Sequence, residues 1–199
     1  MALYLPGLPG LLAVVITWGI GAVLLPIGSA VCRGGTPAEF RLVAGWGALC
    51  LVLTAWGVFL PISLRVPAAA LIVAALAAQR APSLRVTRAD GIALGRLLLV
   101  TLPLWAVMAG VRPSQVDTFL NLLPNADYLV DYGRLPTALL PPSHSFLPAA
   151  PYDTQFLAFL GSLVWRDYPA AGMSLVNVML RLLGGLAISR ALLRPKLKV

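Results

Sequence analysis

Charge is what this chain has little of. Only 11% of its 199 residues are charged, and just seven are acidic, whereas soluble domains carry about 25% charged residues. With 59% hydrophobic residues and a mean hydropathy of +0.88, the composition excludes an ordinary soluble domain. The apolar runs show no two-residue alternation, which excludes a β-barrel and leaves helices as the way to satisfy the backbone in lipid. The fold class expected is therefore an all-α integral membrane protein. Histidine occurs once and cysteine twice. Cys32 and Cys50 lie in or beside apolar segments without metal-ligand spacing, so they read as small apolar fillers, not as a disulfide or a metal site. The first 32 residues contain no lysine or arginine, so the basic n-region of a signal peptide is missing. Ser29-Ala30-Val31-Cys32 is a poor lipoprotein site because Val31 is bulky. The reading is a retained first helix.

What is present is a series of apolar segments at about 8–32, 42–60, 62–79, 97–111 and 169–192. A spanning helix needs about 20 residues. The second and third segments form a hairpin interrupted by Pro61 and Pro67. The fourth is short and is expected to extend back through 91–96, with Arg96 snorkelling. Gly91 and Gly95 have the spacing of a small-residue helix-packing pair. The net charge of +8 does not indicate nucleic acid, because the arginines sit between apolar runs as topology signals. Arg33 and Arg41, then Arg80, Arg85, Arg88 and Arg96, then Arg190, Arg194, Lys196 and Lys198 mark inside connections. Five spans follow, with the N-terminus outside and the basic tail inside. The organisation expected is a four-helix part over 1–111, an external loop over 112–168, and a last span and tail over 169–199.

Five of the seven acidic residues fall in that loop: Asp117, Asp127, Asp131, Asp153 and Asp167. Carboxylates are costly near hydrocarbon, so the loop is either solvated or a working site. At 100° per residue, Asp117, Asn121, Asn125, Tyr128 and Tyr132 form one stripe, opposite Phe119, Leu122, Leu123, Ala126, Leu129 and Val130. The spacing predicts an amphipathic helix on the membrane surface with Asn121 and Asn125 facing water. The stripe is either a plain wet face or the lining of a site for a polar or phosphorylated headgroup. Pro124 kinks the helix or starts its second half, and Gly133 suits its C′ position. Five prolines between 136 and 151 impose an extended loop with Ser143, His144 and Ser145 at its tip. His144 reads as a solvated histidine, since adjacent Ser and His seldom align for nucleophilic chemistry. A divalent cation on Asp117, Asp127 or Asp153 with His144 is chemically conceivable. The apolar stretch from Phe156 to Trp165 is too short to span and is expected in the interface or re-entering.

The run Asp117-Thr-Phe-Leu-Asn-Leu-Leu-Pro-Asn-Ala-Asp-Tyr-Leu-Val-Asp-Tyr-Gly-Arg-Leu-Pro136, followed by Pro141-Pro-Ser-His-Ser-Phe-Leu-Pro-Ala-Ala-Pro-Tyr152, resembles the first external loop of bacterial GT-C-type glycosyltransferase-like membrane proteins. These are akin to protein mannosyltransferases and aminoarabinose transferases. The resemblance covers about 112–165. It implies a bacterial inner-membrane location and a sugar taken from a polyprenyl-phosphate donor on the periplasmic face. Asp117 matches the family's acidic residue after the preceding helix, a general base or metal-linked acid. Pro151-Tyr152 matches its turn before an apolar helix. Thr118 stands where the family has a second acidic residue, and one span follows the loop where the family has several.

Two functions are then expected from different classes. One is an accessory subunit on a truncated GT-C-like scaffold, with other integral membrane subunits and membrane lipids as partners and no cofactor. The other is a glycosyltransferase, whole or split. It would use Asp117 as base, Asn121, Asn125, Arg134, His144 and Tyr152 on the substrate, and a divalent cation if one is needed. The first is the expectation carried forward.

Overall fold

The computed structural model describes residues 6–32, 35–81, 87–110, 118–149 and 151–193. Among these every regular element is helical: α1 (Leu8–Val31), α2 (Ala38–Phe59), α3 (Arg65–Ala78), α4 (Arg88–Gly110), a π-helical turn (Thr118–Leu122) running into α5 (Leu123–Tyr132), α6 (Thr154–Ser162) and α7 (Tyr168–Leu193). Four helices, α1, α2, α4 and α7, are long and apolar enough to cross a membrane. The protein is an all-α, multi-pass membrane protein. α3 is apolar but has 14 residues, about 21 Å at 1.5 Å per residue. That is shorter than a hydrocarbon core of about 30 Å, yet α3 lies on the stretch that returns the chain from the Phe59 end of α2 to the end where α4 starts beside Arg41.

Two helices begin earlier than their apolar runs. α2 starts at Ala38 and so contains Glu39 and Arg41. The helix tolerates them because each is paired: Arg190 meets Glu39 at 2.9 Å, and Arg41 meets Asp90 at 2.5 Å. Arg41 also donates to Ser29 Oγ at 2.9 Å. Glu39 is only 1% exposed, and a buried charge without a partner is strongly destabilising. α4 starts at Arg88 because Thr87 and Asp90 cap it reciprocally. The Thr87 N–H donates to Asp90 Oδ2 at 2.9 Å, and the Asp90 N–H donates to Thr87 Oγ1 at 3.1 Å. This satisfies amides that the first turn leaves open.

These pairs gather the start of α2, the start of α4 and the end of α7 at one end of the bundle. The other end joins the α2–α3 turn to α5. Leu64 N–H donates to Gly133 O at 2.7 Å, and Arg65 Nη2 to Val130 O at 2.5 Å. The starts of α2 and α4 and the end of α7 thus lie at one end, and the α2–α3 turn lies with the end of α5 at the other.

The tightest helix contact is between α1 and α2. A Cβ on Gly28 would sit 1.7 Å from the Arg41 carbonyl oxygen, and one on Gly45 2.1 Å from that of Leu24. Only glycine lets the two backbones approach so closely, the usual device of helix packing in lipid. The Gly91/Gly95 pair plays no such part, since a Cβ at either meets nothing within 4 Å. Thr17 Oγ1 donates to Ala13 O at 2.7 Å and stands 2.8 Å from Tyr168 Oη, so two buried hydroxyls satisfy each other. The Tyr168 ring fills the space left by Gly161 and Gly172.

α6 is enclosed by protein. Every residue from Thr154 to Gly161 is buried, against α5, α7, α1 and α2. Of the two placements expected for this stretch, a lipid-facing interfacial helix does not fit. Its Phe156, Leu157, Phe159 and Leu160 belong to the main hydrophobic core.

Candidate functional site

The segment between α4 and α7 carries the expected site. Pro124 occupies the first turn of α5. The chain before it winds as a single π turn, a feature frequent at functional sites. Gly133 ends α5 in the left-handed conformation, φ 61°. A Cβ there would meet Ser63 Oγ at 2.5 Å, so glycine is required twice over.

The polar stripe of α5 does not face water at Asn125, which is a correction to the sequence reading. Asn125, Ala126, Tyr128 and Leu129 are all buried, while Asp127, Asp131 and Tyr132 are exposed. The reason is the proline loop, which folds back over the stripe. Asn125 Nδ2 donates to Leu147 O at 3.1 Å, and Tyr152 Oη donates to Asn125 Oδ1 at 3.3 Å. Tyr128 Oη donates to Pro141 O at 2.9 Å, and Phe146 N–H to Leu120 O at 3.0 Å. Tyr152 Oη also lies 3.1 Å from Pro148 O. Five prolines cannot supply backbone donors, so side chains of α5 and Tyr152 satisfy the loop's carbonyls instead. Burial, and then Tyr128, push the Tyr152 phenol up to about 12. It stays protonated and donates throughout the physiological range.

Of the residues expected at the site, the fold brings Asn125 and Tyr152 together. Asn121 is half-buried on the π turn. Arg134 is exposed just after Gly133, and His144 is exposed at the loop tip. Asp117 lies outside the described residues. The serines beside His144 shape the turn: Ser143 Oγ accepts from Ser145 N–H, and Ser145 Oγ from Leu147 N–H, each at 3.1 Å. Among the described residues no group of three His, Cys, Asp or Glu side chains converges to hold a metal ion.

Three features escaped the sequence reading. One is a cleft of about 360 Å³ bounded by Asp127, Asp131, Asp167 and Arg166. Arg166 pairs with Asp131 at 2.9 Å on the exposed surface, and such pairs contribute little. Partial desolvation by the surrounding protein, and then the Asp131 charge, raise the Asp127 carboxyl above the usual range. The second is a groove of about 380 Å³ between residues 57–62 and 134–140. The third is the placement of Asp153. Asp153 caps α6 by accepting from the Thr154 N–H and, at 3.1 Å, from Thr154 Oγ1. Its carbonyl oxygen lies 3.4 Å from Trp46 Nε1 and 3.7 Å from Cys50 Sγ, yet the residue is exposed. An Asp before a short apolar helix is a legible cap signal. Its position against α2 was not legible, because it depends on how α6 docks.

No protein-family model, characterised protein or solved structure matches the chain.

Proposed function

We propose that the protein is a membrane-embedded accessory subunit of a larger bacterial inner-membrane complex, its N-terminus periplasmic and its basic tail cytoplasmic. The observation that supports this reading is the exposed Asp153 beside the middle residues of α2. Its backbone lies against Trp46 and Cys50. Cys50 is about 18 Å from the Ala38 end of α2 and about 14 Å from the Phe59 end, at 1.5 Å per residue. α2 is one of the helices able to cross a membrane, so Asp153 is exposed near its mid-length. An aspartate at the centre of a membrane helix costs about 2.5–3.5 kcal/mol on insertion scales. Polar surface from a second polypeptide, laid over this side of α2 and the start of α6, removes that cost.

The test is photo-crosslinking in cells with p-benzoylphenylalanine replacing Pro151, an exposed neighbour of Asp153. A discrete adduct with a membrane polypeptide is expected, and Asp153→Asn should weaken co-purification of that polypeptide in mild detergent. Adducts with lipid alone would sink the reading. So would sugar transfer from a polyprenyl-phosphate donor by the purified chain alone, lost in Asp117→Asn, since removing a general base costs about 10²–10⁴-fold.

A further inference from the structure

The groove between the end of α2 and the proline loop has a chemistry distinct from that of the Asp153 side. Its walls are apolar, from Phe59, Leu60, Ile62 and Leu139, and Arg134 and Thr137 are polar groups among its lining residues. Arg134 is exposed and is in no ion pair among the described residues. The groove opens at the Phe59 end of α2, a helix long and apolar enough to cross a membrane, and the end of such a helix is where headgroups meet acyl chains.

Its surroundings point the same way. Phe59 is 79% exposed, Leu139 95% and Phe146 75%, although Leu139 and Phe146 lie on a loop outside every spanning helix. Large apolar side chains held outward on a polar loop lose little by entering the headgroup boundary. The loop is held in that shape in advance by the bonds from Asn125, Tyr128 and Tyr152. Binding there therefore requires little further ordering.

We propose that this groove binds an anionic membrane phospholipid. The phosphate accepts hydrogen bonds from the Arg134 guanidinium and the Thr137 hydroxyl. The first methylenes of its chains lie along Phe59, Leu60, Ile62 and Leu139. Arginine suits the phosphate because its planar fork donates two parallel hydrogen bonds. One guanidinium cannot offer a zwitterionic headgroup the same net attraction, so the groove discriminates by charge. The inference does not rest on the partner proposed for the Asp153 side.

The test uses the full chain purified in mild detergent, offered equal amounts of dioleoyl-phosphatidylglycerol and dioleoyl-phosphatidylcholine, with retained lipid counted by native mass spectrometry. Wild type should retain phosphatidylglycerol preferentially. Arg134→Gln should lower that preference about tenfold, the effect of losing one charge-assisted contact, and Arg134→Lys should keep part of it. Leu139→Ser should lower retention of both lipids without changing their ratio. Thermal unfolding confirms that each variant is folded, as expected for exposed positions. Equal retention of the two lipids by wild type, an unchanged ratio in Arg134→Gln, or displacement of the lipid by millimolar inorganic phosphate would each overturn the proposal.

Discussion

Replacing Gly28 with alanine adds one methyl group where α1 and α2 touch, and the structure sets the size of the effect. The new Cβ would stand 1.7 Å from Arg41 O, 2.6 Å from Arg41 C and 2.9 Å from Gly45 N. All three are backbone atoms and cannot rotate away. Ordinary van der Waals contact requires about 3.5 Å, so the helices must part by roughly 1.5–2 Å. A gap of 0.5–1 Å already forfeits about a quarter to a half of the dispersion well. The parting therefore loosens Leu24 and Leu25 of α1 and Leu42, Leu49 and Leu53 of α2, all buried in one core. The expected cost is about 2–4 kcal/mol, at the upper end for overpacked cores. Gly45→Ala should behave alike, its Cβ falling 2.1 Å from Leu24 O.

Gly19 and Gly47, on the same two helices, are the controls. A Cβ at either meets nothing within 4 Å. Alanine there should be neutral or stabilise by up to about 1 kcal/mol through helix propensity. The assay is thermal unfolding in mild detergent, followed by loss of the monodisperse peak in size-exclusion chromatography. The sign should reverse between the two pairs. If Gly28→Ala and Gly45→Ala unfold at the same temperature as Gly19→Ala and Gly47→Ala, the close crossing of α1 and α2 is wrong.

Asn125→Asp should destabilise the protein by about 2 kcal/mol or more at neutral pH, because it sets a carboxylate oxygen against Leu147 O in a fully buried position. Asp131→Asn, which removes only an exposed ion pair, should cost less than about 1 kcal/mol. Equal melting of the two variants would return Asn125 to the solvent face. Ser143→Cys, in a background without Cys32 and Cys50, should react with an impermeant thiol reagent in intact cells, whereas Lys198→Cys should not. The reverse pattern would invert the proposed orientation.

Much of this architecture is legible in residue order because its causes are local. Hydropathy summed over one window marks α1, α2, α4 and α7. The left-handed Gly133 ends α5 where the pattern requires it. Asp153 and Thr87 stand where a helix needs a cap. Each of these depends on one segment and its solvent.

What only the tertiary structure decided depends on a second segment. The helical periodicity of α5 separates a polar stripe from an apolar arc. It does not say that prolines 136–151 fold over the stripe and bury Asn125 with Tyr152. The extension of α2 to Ala38 rests on Arg190 and Asp90, which are remote in sequence. Glycine spacing singles out Gly91 and Gly95, while the contact is made by Gly28 and Gly45. In lipid the faces turned to protein and to hydrocarbon are both apolar, so hydropathy does not distinguish them. Only the docked neighbour reveals which face is covered, and with it the position of Asp153 against the middle of α2.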